Sequence, residues 1–591
     1  MKSWKSTLTF AVVSIVMLGI VKADLLFHME QYSLFNFDWD WLVKFFEQAG
    51  GVLSLLGAFL TQFCHFPIVG ALLLTALLIA LQRIVRASFG LEGRNEWMAY
   101  VPSLMLLLFV TRFDYSIFLQ KTYGLVFSQT LGFIASVSVF LLYKKCVAGK
   151  KAAWAFIPVL VLIGYPLLGA YAFVSALLIV LESFRTGSLR WVNLVTAVVF
   201  CVAVPLICSY SGSIFLRINR KYIFFAGFPY LEFVKDIICF IPLILTILSL
   251  ALLVFASKMG PKAAVAVSAF ALIVAVGGTN WDPNFNAVMK MERGVTAQDW
   301  DKVLKVADKR ETPTRIQVLF RDIALYHKGQ LTEKMFSYPD GSAALATKAY
   351  VPITIICSAP VCYYCGMINT GERMCMEISS SYTKCINFFK YQAKIALITG
   401  EYALAQKYVD AVAKNWFQGA WVRRYQGFID DPSSMDTDKE FMMIRPLMAF
   451  EEEGVDTSLT LETLMFNHFI RLNYYNENLY EWQMAMLMVQ KREYVFMQKF
   501  YDHYDMFPNA RISTGIAQAA ALFAGISGDR EMLANIAAIL SSHKSVLREF
   551  GNFGRIINSG MDDEKAAEAA KDRFGRTYWF YYYFINDMET N

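Results

Sequence analysis

Long apolar runs fill the first half of this 591-residue chain and restrict what it can fold into. A membrane-spanning helix needs about 20 mostly apolar residues. The run around Gly164-Tyr165-Pro166 is too long for one crossing, and Pro166 favours a boundary within it, although a re-entrant pair of short helices is the alternative. We predict nine spans, at residues 7–22, 66–85, 97–111, 123–143, 153–167, 168–183, 190–210, 236–257 and 261–278.

Charge divides the chain into two parts. Residues 1–280 carry 21 Lys and Arg against 11 Asp and Glu, whereas residues 281–591 carry 34 against 38. The whole chain is only 18% charged, below the roughly 25% of ordinary soluble domains. We therefore predict a transmembrane domain at 1–280 and a water-soluble domain at 281–591. Neither part has a basic patch dense enough for nucleic acid, so that class of partner is excluded.

The positions of Lys and Arg predict the orientation, because positive residues stay in cytoplasmic loops. With the N-terminus inside, the inner loops hold 13 of these residues and the outer loops 8. An odd number of crossings then places residues 281–591 outside the cytoplasmic membrane. The alternative for residues 1–23 is a cleaved signal peptide with the small-residue site Val21-Lys22-Ala23, which would leave this topology unchanged.

The second half shows the spacing of helical hairpins. In residues 393–405, Ala393, Ala396 and Ala405 allow two helices to approach closely and Gly400 permits the turn between them, as in a tetratricopeptide repeat. Weaker versions begin near Ala324, Met488 and Ala520 at irregular intervals. We predict an all-α protein, with a polytopic helical bundle followed by a degenerate tetratricopeptide-like solenoid that holds a partner. The seven aromatic residues at 578–584 are expected to cap this solenoid.

Several segments resemble an uncharacterised family of bacterial multi-pass membrane proteins whose C-terminal halves are helical repeats. The residues that carry this resemblance are Glu30 to Phe35, Gly50-Gly51, Phe59 to Phe63, Gly366 to Thr370 and Tyr578 to Tyr583. The resemblance covers most of the chain and implies a bacterial inner-membrane location. It implies no activity.

The first predicted outer segment, residues 24–65, is acidic and aromatic, with two short amphipathic helices expected at 39–48 and 52–64. This arrangement is similar to multi-pass glycosyltransferases that use lipid-linked sugars. That similarity implies that Asp38 and Asp40 bind Mg²⁺ or Mn²⁺ or act as a general base. The alternative is a solvated interfacial loop held by its tryptophans, and nine spans is fewer than those enzymes usually show.

A second cluster of candidate residues is positively charged and lies in a predicted outer loop, although outer loops usually carry few positive residues. Arg217 and Arg220 are three residues apart and share a helix face, and Lys221 follows. Such a set could clamp the phosphates of a polyprenyl carrier. Contact with ordinary lipid head groups, or a salt bridge to the outer domain, is the alternative.

Five of the ten cysteines fall in one stretch, at positions 357, 362, 365, 375 and 385. Packing is the favoured interpretation because cysteine is a common small buried residue. A disulfide and a zinc site are the alternatives, and the spacing fits no zinc ribbon.

Two functions follow from these patterns. The first is a glycosyltransferase-like enzyme that moves a sugar from a polyprenyl-phosphate carrier to an acceptor held by the helical repeats. The second is a non-catalytic membrane scaffold whose repeats recruit envelope proteins. No Walker or dinucleotide-type glycine loop occurs, and the spans hold almost no ionisable residue, which argues against an ATP-driven pump and a proton-coupled transporter.

Overall fold

The computed structural model describes residues 3–210, 220–229, 240–255, 260–339, 357–381, 384–448, 461–472 and 475–585. These residues are helical with no β-strand among them, so the all-α prediction is confirmed. The chain forms two compact units. The first contains residues 1–282 together with two later segments, 378–390 and 408–423, and the second contains the remainder.

The first unit is a bundle of α-helices with short 3₁₀ and π turns between them. Its α-helices are Ser3–Val16, Ala23–Gln31, Trp39–Phe46, Gly51–Thr61, Pro67–Phe89, Val101–Thr111, Leu125–Leu142, Phe156–Leu168, Tyr171–Thr186, Arg190–Tyr210, Ile241–Leu253 and Pro261–Gly277. Its shorter turns are Met17–Val21, Gln62–His65, Gly93–Tyr100, Tyr115–Leu119, Tyr143–Val147, Lys151–Ala155 and Arg220–Phe225.

Each of the nine predicted spans contains a helix, but the helices differ in length. Four are long and apolar enough to cross a membrane: Trp4–Val21, Pro67–Phe89, Leu125–Val147 and Arg190–Tyr210. Those at the other five positions are shorter, such as the 11 residues of Val101–Thr111. The nine crossings therefore stay a prediction.

Small residues bring helices of the first unit into close contact. A Cβ added at Gly57 would lie 2.6 Å from the carbonyl oxygen of Gly124, where Gly51–Thr61 packs on Leu125–Leu142. The first helical segment packs in the same way on Pro67–Phe89, since a Cβ at Gly19 would lie 3.2 Å from Ala71 Cβ. These positions need glycine because two helices meet there.

The spans predicted at 153–167 and 168–183 correspond to the helices Phe156–Leu168 and Tyr171–Thr186, so the break in the long apolar run lies where the sequence predicts it. The helix Phe156–Leu168 continues through Pro166 and ends at Gly169, whose φ of +63° is left-handed. A Cβ on Gly169 would lie 2.1 Å from the carbonyl oxygen of Ala226. The helix ends where glycine allows this close approach, and Pro166 lies in the last turn.

Four helices contain residues assigned to both units: Ile368–Ser381, Ile386–Ile398, Tyr402–Ala413 and Gly419–Asp430. The α-helices that lie wholly in the second unit are Pro283–Thr296, Trp300–Ala307, Arg315–His327, Leu331–Lys334, Ser358–Tyr364, Lys439–Ile444, Leu461–Arg471, Glu477–Val489, Glu493–Met506, Thr514–Ile526, Arg530–Ile539, Lys544–Ile557, Asp563–Phe574 and Tyr578–Phe584. Its 3₁₀ turns are Met335–Ser337, Pro432–Asp436, Arg445–Leu447 and Leu540–His543.

Helical hairpins occur at all four positions where the spacing predicts them. Gly329, Gly400 and Gly528 form their turns with positive φ, and Lys491 does so in the fourth. The aromatic helix Tyr578–Phe584 packs on Thr514–Ile526, and the indole of Trp579 donates to the carbonyl of Gln518 at 2.9 Å. Whether these hairpins form a tetratricopeptide-like solenoid stays a prediction.

Candidate functional site

The acidic segment 24–65 lies in the first unit and forms three α-helices. The predicted amphipathic helices correspond to Trp39–Phe46 and Gly51–Thr61, with Ala23–Gln31 before them. Asp38 begins the Trp39–Phe46 helix as its N-cap residue, and Asp40 lies in its first turn, where negative charge is favourable. Local helix chemistry therefore explains part of the acidic character of this segment.

Asp38 and Asp40 are both exposed and line an open cavity of about 390 Å³ with Asn36 and Lys44. Asp38 forms an ion pair with Lys414 and accepts a 2.8 Å hydrogen bond from the Asn36 amide. These two hydrogen bonds, with Lys414 the larger effect, hold the pKa of Asp38 below its usual value. Asp38 is thus already charge-paired, and of the two carboxylates Asp40 is the one that the cavity leaves more available.

The expected Mg²⁺ or Mn²⁺ stays a prediction. Mg²⁺ usually keeps several water ligands and is bound through one or two carboxylates together with substrate phosphates. Within the described ranges, no group of three or more His, Cys, Asp or Glu side chains is placed to hold a metal ion. Asp38 and Asp40 alone supply only part of a coordination shell.

A buried network in the same segment was not predicted from the sequence. Glu30 is fully buried and accepts hydrogen bonds from Gln418 at 2.7 Å and from Gln31 at 2.5 Å. Lys390 donates to the side-chain oxygen of Gln31 at 3.0 Å. The Gln418 side chain therefore satisfies a carboxylate of the first segment, and Lys390 binds the Gln31 side chain beside it.

Backbone groups also join the segment 24–65 to residues 408–423. The amide of Phe35 donates to Asn415 Oδ1 at 2.9 Å, and the amide of Trp416 donates to Gln62 Oε1 at 2.8 Å. The Trp416 ring lies 5.2 Å from that of Phe59 in an edge contact. Residues 24–65 thus form a surface to which residues 408–423 are bound within the first unit.

The predicted phosphate clamp is only partly described. Arg217 lies outside the described residues. Arg220 and Lys221 begin the 3₁₀ helix Arg220–Phe225. The residues that follow them, up to Pro229, line a different cavity from the one that holds Asp38 and Asp40.

This second cavity, of about 220 Å³, lies between three parts of the first unit. Residues 48–54 form one wall, residues 121–123 another, and residues 222–229 a third. Gly50 and Gly227 approach closely beside it, because a Cβ on Gly50 would lie 2.9 Å from Gly227 Cα. No residue lines both cavities.

The second unit contains a buried ion pair that sequence spacing did not indicate. Lys394 Nζ lies 2.9 Å from Glu440 Oε1, and both side chains are buried. Coulombic attraction to Lys394 and hydrogen bonds, which outweigh desolvation, lower the pKa of Glu440 to about 2. Four tyrosine rings surround the ammonium at 5.2 to 5.5 Å, those of Tyr363, Tyr364, Tyr391 and Tyr425.

The Glu440 carboxylate has further partners within the second unit. The Tyr425 hydroxyl donates to Glu440 Oε2 at 2.7 Å, and Arg424 lies 3.2 Å from the same oxygen. Neither of the cavities described above contains Lys394 or Glu440. The arrangement therefore supports packing of the second unit.

The clustered cysteines are all buried in the structure, which agrees with the packing interpretation. Cys385 belongs to the first unit and the other four to the second. Burial raises the pKa of Cys357 and of Cys365 well above the usual value, so these thiols are poor ligands and poor nucleophiles.

Comparison with known proteins gives one match. No curated protein and no solved structure matches this chain. A profile of the family described as a family of unknown function (DUF6057) matches residues 1–585. The chain therefore belongs to this family of unknown function.

Proposed function

We propose that this chain is a multi-pass membrane protein that holds an extracytoplasmic partner protein on the helical hairpins of its second unit. Its membrane placement is supported by the helix Arg190–Tyr210, which is long enough to span and carries many exposed apolar side chains. They are Trp191, Val192, Val195, Val198, Val199, Val202, Leu206, Ile207 and Tyr210. In water such a surface would be costly, whereas in a bilayer it is the expected one.

One observation favours the scaffold function and not the enzyme function. Two acidic residues of segment 24–65 are used for internal contacts: Asp38 pairs with Lys414, and Glu30 is closed in by Gln418 and Gln31. A catalytic loop would instead direct several carboxylates at one reacting centre. The segment is built as an attachment surface for residues 408–423.

The partner is tested by site-specific photo-cross-linking of the full chain in membranes. The cross-linking residue is placed at Tyr494, Met376 or Met442, which are 82%, 53% and 52% exposed in the second unit. Trp39, 73% exposed in the first unit, is the control position. We expect a discrete adduct with one protein from the second-unit positions only, and the purified partner should then bind the purified chain. No such adduct at any of the three positions would contradict the scaffold.

A second candidate rests on the exposed carboxylate of Asp40 in its open cavity. In this alternative the chain transfers a sugar from a polyprenyl-phosphate carrier, Asp40 acts as general base, and Arg217, Arg220 and Lys221 hold the carrier phosphates. If this enzyme uses Mg²⁺ or Mn²⁺, Asp38 and Asp40 would hold the ion together with the carrier phosphates.

One pair of variants distinguishes the scaffold function from the enzyme function. If the chain is an enzyme, Asp40→Asn abolishes sugar transfer from a labelled carrier while Asn36→Ala, in the same cavity, leaves it intact. If the chain is a scaffold, neither variant alters the photo-cross-linked adduct. Normal thermal unfolding of both variants is the control for folding.

A further inference from the structure

The lining of the 220 Å³ cavity in the first unit carries a single charge. Among the thirteen residues that line it, Lys121 is the only charged one. Ser54 and Thr122 contribute hydroxyl groups, and Lys121 itself is half-buried. A half-buried ammonium attracts an anion more strongly than an exposed one does, because less water screens it.

The residues that line this cavity include no carboxylate. Tyr222 lines the cavity, and the two residues before it in the chain are Arg220 and Lys221. The predicted phosphate clamp is therefore contiguous in sequence with the wall of this cavity, and not with the one that holds Asp38 and Asp40. The site favours an anionic group.

The size and the rim of the cavity restrict the ligand further. Pockets for drug-sized molecules occupy about 300–1,000 Å³, so this one admits only a small group. The close approach of Gly50 to Gly227 limits the space beside it. At the mouth, Phe225 lines the cavity and is 64% exposed, and the neighbouring Phe224 is 40% exposed. Such rings suit an apolar chain attached to the anionic group.

We propose that this cavity binds the phosphoryl head group of a membrane lipid, with Lys121 as the counter-ion and the apolar chain lying along Phe225. Ser54 and Thr122 supply hydroxyl donors to the phosphoryl oxygens. The inference rests on the membrane placement proposed above but not on the partner protein. It assigns a lipid site to a place distinct from Asp38 and Asp40.

The test uses the purified full chain in detergent and native mass spectrometry. The probes are dioleoyl phosphatidic acid and dioleoylglycerol, which differ only in the phosphoryl group, and inorganic phosphate as competitor. The variants are Lys121→Gln, which removes the charge, and Ser54→Phe, which fills the cavity without changing charge. Lys44→Gln is the matched control, because Lys44 is a lysine of the same unit that lines the other cavity.

We expect the wild-type chain to retain phosphatidic acid and not dioleoylglycerol. Lys121→Gln should weaken this binding about tenfold, the effect of one charge-assisted hydrogen bond. Ser54→Phe should weaken it as well, and Lys44→Gln should not. Unfolding temperatures close to wild type show that the variants are folded.

Other outcomes overturn the proposal in recognisable ways. Equal retention of the two lipids would contradict the phosphoryl site. Equal binding of phosphatidic acid by Lys121→Gln and Lys44→Gln would contradict it as well. Displacement of the lipid by millimolar inorganic phosphate assigns the site to free phosphate and overturns the lipid. Failure of the membrane placement is seen separately, as release of the chain from membranes by alkaline carbonate.

Discussion

Replacing Lys394 with Met leaves the buried carboxylate of Glu440 without the cation that lies 2.9 Å away. Removing one partner of a buried pair costs about 3 kcal/mol or more, because the remaining charge is desolvated. We therefore expect Lys394→Met to lower the unfolding temperature of the full chain by roughly 5 °C or more, followed by tryptophan fluorescence. Lys407→Met, at an exposed lysine of the second unit, should change it little.

The double variant Lys394→Met/Glu440→Leu sharpens this prediction. Apolar replacement of both members of a buried pair is often close to neutral. The double variant should therefore be more stable than Lys394→Met alone. Equal or greater loss in the double variant would mean that the tyrosine cage, and not the ion pair, stabilises this part of the second unit.

Because of Glu481, we expect the stability of the second unit to depend on pH. Its carboxylate accepts the backbone N–H of Thr332 at 3.3 Å, at the start of the short helix Leu331–Lys334. Desolvation, which outweighs this hydrogen bond, raises the pKa of Glu481 to about 7. A carboxyl that binds its proton more tightly when folded contributes stability that is complete below its usual pKa of 4.5 and is lost as the pH rises through about 7.

Glu481→Gln should remove this contribution while keeping an oxygen for the Thr332 amide. Unfolding temperatures measured from pH 4.5 to 8 should fall with pH in the wild-type chain and change less in Glu481→Gln. Glu531→Gln, at an exposed glutamate elsewhere in the second unit, should keep the wild-type slope. Parallel slopes in all three chains would exclude Glu481 as the titrating group.

At the level of elements, the sequence predicted what local chemistry determines. The hairpin turns at Gly329, Gly400 and Gly528 could be located because a left-handed residue between two apolar helices leaves a recognisable pattern. The break after residue 167 could be placed from Pro166, but the contact of Gly169 with Ala226 could not, because it joins distant residues. Sequence spacing does not contain that information.

The packing of Leu125–Leu142 on Tyr171–Thr186 gives an element-scale prediction. A Cβ on Gly132 would lie 2.4 Å from the ring of Tyr171, which is fully buried and donates to Gln129 at 2.5 Å. Gly132→Ala should therefore destabilise the first unit by about 1–3 kcal/mol, the usual cost of overpacking. Gly277→Ala is the control, because a Cβ there meets nothing within 4 Å. Equal unfolding temperatures for the two variants would show that the Tyr171 ring moves without cost.

For the whole molecule, the feature that the sequence did not predict is that residues 378–390 and 408–423 belong to the first unit. The sequence assigned everything after residue 280 to one outer domain. That division stays a prediction, and the contacts that place these two segments in the first unit join residues far apart, such as Phe35 and Asn415, 380 positions apart. The same limit applies to the candidate site: Asp38 could be singled out from residues 24–65, but its partner Lys414 could not.

One natural cysteine tests whether residues 97–111 cross the membrane. Cys146 is exposed, just after the helix Leu125–Leu142. If residues 97–111 cross the membrane, as predicted, Cys146 follows the fourth crossing and lies on the same side as the N-terminus. If only the four long helices cross, Cys146 follows the third and lies on the opposite side. The helix Val101–Thr111 has 11 residues, all buried, so its neighbours and not lipid surround it.

We expect nine crossings, and hence labelling of Cys146 by a membrane-impermeant maleimide only in vesicles that expose the cytoplasmic face. A cysteine introduced at the exposed Ser559 should be labelled only from the other face, since an odd number of crossings places the second unit outside. Cys146→Ser measures the background from the remaining cysteines. Labelling of position 559 from the cytoplasmic face would require an even number of crossings, and the second unit would then meet cytoplasmic partners instead of envelope proteins.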